Sequence, residues 1–249
     1  MSDQSAVSGW RGYLPAGVRP YSEAAPLAAL FLGVSSALPL TMIAATLTTR
    51  LAQAGIEKST VTAFALTFLA YNFKWLWAPV IDVIKLPIIG RVGQRLSWLI
   101  VTAAFAMAAI IYLGSLDPAK DIAAVAVAAI MVGIAGATFD VVIDAYRIEL
   151  LEPEQLGVGS GMSQYGWRIG AATAGAVALV VAARTNWSIA YYVCSLFALF
   201  AVIVGLIMRE PSRRQEPMAL KGPLEAAKAY VSPLVEFFKR SGALLVLLF

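Results

Sequence analysis

The sequence predicts an all-α polytopic membrane protein, and three observations carry that expectation. Hydrophobic residues make up 60% of the 249 and charged residues only 14%. The apolar residues come in blocks long enough to cross about 30 Å of hydrocarbon, which takes roughly 20 residues of helix. Between the blocks stand short stretches of Gly, Pro and charge, where helices end.

The composition also excludes functions. Cys194 is the one cysteine and sits in an apolar run, while histidine is absent, so a disulfide framework within the chain and the usual Cys/His zinc site are excluded. No cofactor or metal is expected. Without histidine the usual general base is missing and no activated nucleophile is visible, so the chain does not read as an enzyme. The net charge of +4 lies beside apolar runs instead of along one basic face, which favours a lipid surface over nucleic acid as its partner.

Residues 1–23 are polar and lack the pattern of a cleaved signal peptide. The first span, 24–49, is 26 residues without a charge, and Pro39 inside it is expected to kink it. A short loop with Arg50, Glu57 and Lys58 leads to the second span, 59–81, whose single charge is Lys74. That ammonium either snorkels to the interface or faces an internal cavity. Trp75 and Trp77 beside it fit an interfacial belt equally well. The next loop carries Asp82, Lys85, Arg91 and Arg95 among Pro and Gly. The third span is 96–116, and after the turn DPAKD the fourth begins at 122. A fifth follows over 158–183 with Arg168 inside it, and Gly166 and Gly170 form a small-xxx-small pair that allows close helix contact. The sixth is 185–208.

The expected organisation is therefore a six-helix bundle over 1–208, a basic cytoplasmic linker over 209–241, and a stub of a seventh helix over 242–249. Within the linker, LEAAKAYVSPLVEFFKR (224–240) reads either as an amphipathic surface helix interrupted near Pro233 or as plain solvated chain. The tail, the second and fourth loops and the linker hold 13 Lys and Arg, against 4 on the other side, which puts the amino terminus in the cytoplasm.

The stretch from Phe139 to Glu149 holds the densest chemistry. It ends a run of 18 residues without a charge, so its acids arrive at membrane depth. Asp140, Asp144 and Arg147 are spaced i, i+4, i+7 and share one helix face, with Tyr146 and Glu149 beside it. A carboxylate facing lipid at that depth costs about 2.5 kcal/mol or more, so these acids line a cavity or pair inside the bundle. Two readings stand together: a substrate and proton path, or a structural clasp on a basic residue. Arg168, ten residues into an antiparallel neighbour, is expected to pair with Asp140 or Asp144.

The segments GVSSALPL (33–40), FKWLWAPVID (73–82), FDVVIDAYRIELLEPEQ (139–155) and YGWRIG (165–170) stand in an order that resembles the amino-terminal half of the AmpG-type muropeptide permeases, a branch of the major facilitator superfamily. The resemblance covers nearly all of 24–240. It implies two six-helix bundles around a cavity open alternately to each side, with a second half beyond this chain as partner. It implies import of anhydro-muropeptides, which are sugar–peptide fragments, across the bacterial inner membrane with protons. Lys74, Asp140, Asp144, Tyr146, Arg147 and Arg168 would then lie on the substrate and proton path. Asp82, Gly90 and Arg91 resemble a stretched form of the superfamily's gating signature between the second and third helices. Same-fold import of an acyl-CoA, a siderophore or a drug-like solute, and a non-transporting membrane anchor, are the competing readings; an anchor has no reason to keep buried charges.

Overall fold

The computed structural model describes residues 15, 17–84, 86, 93–211 and 239. By its internal contacts the chain divides into Met1–Arg214 and Gln215–Phe249. Of the second unit only Lys239 is described, helical and exposed. The stub, the linker apart from 209–211 and Lys239, and the gating residues Gly90 and Arg91 lie outside the described residues.

The first unit is helical throughout its described elements. Five helices are long and apolar enough to span a membrane: α1 (Ala24–Gln53), α3 (Gln94–Ser115), α4 (Ile122–Leu150), α5 (Pro153–Arg184) and α6 (Trp187–Met208). The second expected span, α2 (58–83), is helical but broken. It runs as α-helix over Lys58–Ala63, 3₁₀ over Phe64–Phe68, α-helix over Leu69–Phe73, 3₁₀ over Lys74–Leu76 and α-helix over Ala78–Val83.

Local chemistry sets the ends. Gly55, at φ 75°, closes α1, with Gly55 N–H donating to Ala52 O at 3.1 Å and Ile56 N–H to Leu51 O at 3.1 Å. Asp121 caps α4 by accepting from Ala124 N, and Asn186 caps the start of α6 by accepting from Ile189 N, both at 2.9 Å. Pro39 does not interrupt α1; three residues later the helix widens into a π turn over Met42–Thr46.

α1 extends past the expected 49 and takes Arg50 out of the loop into the core, where the residue is only 5% exposed. The charge is tolerated because its guanidinium meets the free carbonyls at the carboxy end of α3. It donates to Leu113 O at 3.0 Å and to Leu116 O, and lies 5.3 Å from the centre of the Tyr191 ring.

α1 packs most extensively against α5, and α4 against α3, α1 and α2. α6 contacts α3, α5 and α1. Exchanging α1, α2, α3 with α4, α5, α6 maps these neighbours onto one another, except that α5–α6 has only a sparse α2–α3 counterpart among the described residues. The α1–α5 seam is made by glycine. A Cβ added at Gly33, Gly166 or Gly170 would stand 2.2 Å from Ser163 O, 1.9 Å from Leu30 O or 2.5 Å from Val34 O, so the backbones touch directly. This seam carries Ser163, Gln164 and Trp167 of α5 to the level of Ser36 on α1.

Candidate functional site

The face of α4 expected from the i, i+4, i+7 spacing lines a cavity of about 300 Å³. α4 supplies Asp140, Asp144 and Arg147, α2 supplies Lys74, α1 supplies Ser36, and α5 supplies Ser163, Gln164 and Trp167. Lys74 reaches inward instead of snorkelling. Its ammonium pairs with Asp140 Oδ2 and lies 3.7 Å from Asp144 Oδ2. Ser36 Oγ donates to Asp140 Oδ1, and Arg147 Nη2 donates to Asp144 Oδ1 at 3.0 Å. Two cations therefore face two carboxylates, and the cavity carries no net charge. Arg147 Nε is buried and makes no hydrogen bond to the protein.

The second segment makes further contacts with α4. Trp77 Nε1 donates to Thr138 Oγ1 at 3.2 Å, while Trp75 is exposed. Tyr71 lies over Gly136, where a Cβ would meet its hydroxyl at 2.4 Å, one turn before Asp140.

Two expected members stand elsewhere. Arg168 is exposed on α5 and makes no ion pair among the described residues. Asp144 is already held by Lys74 and Arg147, and Arg168 stands one residue, about 100° of helix turn, beyond Trp167. The expected Asp144–Arg168 pair is not formed. Tyr146 is fully buried, two residues and about 200° from Asp144, and its hydroxyl donates to Arg209 O at 2.5 Å.

Tyr146 belongs to a second cluster at the end of the bundle where α3 and α5 begin. Arg95 Nη1 donates to Asp82 Oδ1 at 2.5 Å, and Arg95 Nη2 and Nε donate to Glu149 Oε1 at 2.6 and 3.0 Å. Glu210 caps α3, its two carboxylate oxygens accepting from Arg95 N and Leu96 N at 2.9 Å each. Gly93, at φ 118°, makes room, since a Cβ there would lie 2.3 Å from Glu210 Oε2. Asp82 thus meets Arg95, a residue the sequence placed in the loop without a role. Glu149 was visible only as a neighbour of the charged face, nothing in the sequence pointed to Glu210, and Ser36 and Trp167 stood only as members of the segments 33–40 and 165–170 without a role. Among the described residues no group of three His, Cys, Asp or Glu side chains is placed to hold a metal ion.

Residues 25–249 match the model of the Major Facilitator Superfamily. The chain belongs to that superfamily. The Major Facilitator Superfamily is a family of membrane transporters, so the chain is a multi-pass transporter-family protein and not an enzyme. Exchanging its first three helices with its last three preserves most neighbour pairs, as a three-plus-three repeat would. The chain is similar to a Rickettsia felis protein named as a transporter, AmpG 4, with 31% identity over 219 residues, 87% of this chain and 53% of that protein. It is also similar to the anhydromuropeptide permease of Escherichia coli K12, with 32% identity over 220 residues, 88% of this chain and 43% of the permease. A further Haemophilus influenzae protein is 30% identical over 216 residues, 86% of this chain and 49% of its own length. The resemblance to AmpG-type permeases expected from the motifs is thus borne out, and the chain spans about half the length of these relatives. No solved structure matches it.

Proposed function

We propose that the chain forms the amino-terminal bundle of a proton-coupled importer of anhydro-muropeptides in the bacterial inner membrane, with its amino terminus in the cytoplasm. The observation that carries this reading is the cavity between α1, α2, α4 and α5, where Lys74 and Arg147 face Asp140 and Asp144. Charges at membrane depth mark substrate and proton paths. A sugar–peptide cargo bears carboxylates for the two cations and hydroxyl and amide groups for Ser163 and Gln164. The similarity to the Escherichia coli anhydromuropeptide permease supports this cargo. This chain holds no histidine, so within this bundle proton uptake falls to the carboxylates. Asp82, through Arg95 and Glu149, fastens the end of the bundle that faces the cytoplasm in this orientation, and serves as the gate.

Uptake of a labelled anhydro-muropeptide by a strain lacking its own permease tests the proposal. The intact protein should accumulate cargo more strongly as the outside is acidified, and at least one of Asp140→Asn and Asp144→Asn should abolish that gain at near-normal expression. Unchanged pH-dependent uptake in both variants would return the aspartates to a purely structural role.

A further inference from the structure

We propose that the two aspartates of the cavity have different jobs: Asp140 is a fixed tie, and Asp144 is the exchangeable counter-ion of Arg147. A proton taken up by Asp144 frees Arg147 to bind one carboxylate of the cargo. This inference rests on the reading of the cavity as a proton-coupled cargo site.

The geometry separates the two acids. Both oxygens of Asp140 are engaged, one by Ser36 on α1 and the other by Lys74 on α2, and its side chain is 17% exposed. It therefore joins three helices, and releasing it loosens all three. Asp144 is 43% exposed. Its one hydrogen bond to a cation is that from Arg147, because Lys74 at 3.7 Å is beyond hydrogen-bonding reach. Water from the cavity reaches Asp144 more readily, and its protonation leaves the Asp140 tie intact.

Arg147 is built to change partners. Its side chain is 15% exposed, only Nη2 is held by Asp144, and Nε is buried without a partner. A buried unpaired donor costs about 1–3 kcal/mol. A guanidinium presents its donors as a planar fork that suits a carboxylate held by two parallel bonds. The groups facing Asp144 are Lys74 from α2 and Asp140 and Arg147 from its own helix; α1 and α5 line the cavity with Ser36, Ser163, Gln164 and Trp167, all uncharged. Tyr71 of α2 sits a turn farther off, against Gly136. Arg168 lies on the exposed side of α5, outside the lining.

The charges then balance in steps. The empty cavity is neutral. One proton passes from water to the Asp144 carboxylate, its ion pairs with Arg147 and Lys74 break while Lys74 stays on Asp140, and the cavity becomes +1. One cargo carboxylate enters, pairs with Arg147, and neutrality returns. Release runs in reverse, and no covalent bond of the cargo changes. One proton is thus bound per cargo carboxylate captured.

Calorimetry of the intact purified protein, titrated with anhydro-N-acetylmuramyl-alanine in buffers of different ionisation enthalpy, counts those protons. The probe has a single carboxylate, and its carboxamide is the companion ligand. The wild-type protein should take up about one proton with the acid and none with the amide, and its affinity for the acid should weaken toward tenfold per pH unit where Asp144 is ionised. Asp144→Asn should bind the acid with no proton uptake and no pH dependence. Acid binding by the wild-type protein without proton uptake, or uptake that persists in Asp144→Asn, overturns the inference alone. Failure of the wild-type protein to bind either ligand sinks the muropeptide reading and this inference with it. The acid–amide comparison uses the unmodified protein, so it decides the matter even if the variant does not fold.

Discussion

Replacing Gly166 by alanine adds one carbon where two helices already touch. That carbon would stand 1.9 Å from Leu30 O and 2.8 Å from Leu30 C, while real Cβ atoms essentially never come within 3.0 Å. The obstruction is backbone on both sides, so no side chain can swing away, and α5 must back off α1 by about 1 Å along their shared seam. Overpacking of this kind costs about 1–3 kcal/mol, and the rigid contact puts Gly166→Ala at the upper end. Alanine returns up to about 1 kcal/mol of helix propensity. The net loss is about 2 kcal/mol. Gly161, on the same helix, has nothing within 4 Å, so Gly161→Ala keeps the propensity gain without the clash. The two variants should differ by about 3 kcal/mol, or roughly 6–12 °C in melting temperature for a chain of this size. Thermal unfolding of both proteins in one detergent, followed by intrinsic fluorescence, measures the difference. If Gly166→Ala melts as high as Gly161→Ala, the α1–α5 seam is not the backbone contact described above.

Two further changes probe the charged clusters. Arg95→Gln should lower stability by about 3 kcal/mol, because it leaves Glu149, largely shielded from solvent, without its cation, and the Arg95→Gln/Glu149→Gln double variant should lose less than the sum of the singles; a melting cycle that adds within roughly 0.5 kcal/mol would deny the coupling. Arg50→Met should cost about 2–3 kcal/mol and speed hydrogen exchange in the last turn of α3, whose Leu113 and Leu116 carbonyls lose their donor; unaltered exchange there would mean that water replaces the guanidinium at no cost.

The spans were legible because hydrocarbon thickness imposes a length that composition reveals directly. The cavity face of α4 was legible for a related reason: a regular helix converts the spacing of Asp140, Asp144 and Arg147 into geometry. Arg168 was misassigned because adjacency in topology says nothing about rotation, and two nearer cations had already taken Asp144. Arg50 read as a loop residue because a charge at the end of an apolar run marks a boundary unless something buried receives it. What receives it is the set of α3 carbonyls, and backbone acceptors leave no trace in side-chain patterns. Glu210 was hidden likewise, since its partners are two backbone N–H groups 114 and 115 residues away.

The broken second segment has an angular consequence. An α-helix turns about 100° per residue and a 3₁₀ helix about 120°. The five 3₁₀ residues Phe64–Phe68 therefore advance everything after them by roughly 100° relative to an unbroken α-helix of the same sequence. Lys74 meets Asp140 with that added phase in place. The aim of the ammonium is thus stored in the type of helix above it, and no substitution in the cavity is needed to lose it. Recasting 64–68 as ordinary α-helix would swing Lys74 past a quarter turn from Asp140 and strip the tie between α2 and α4 while every lining residue stayed the same.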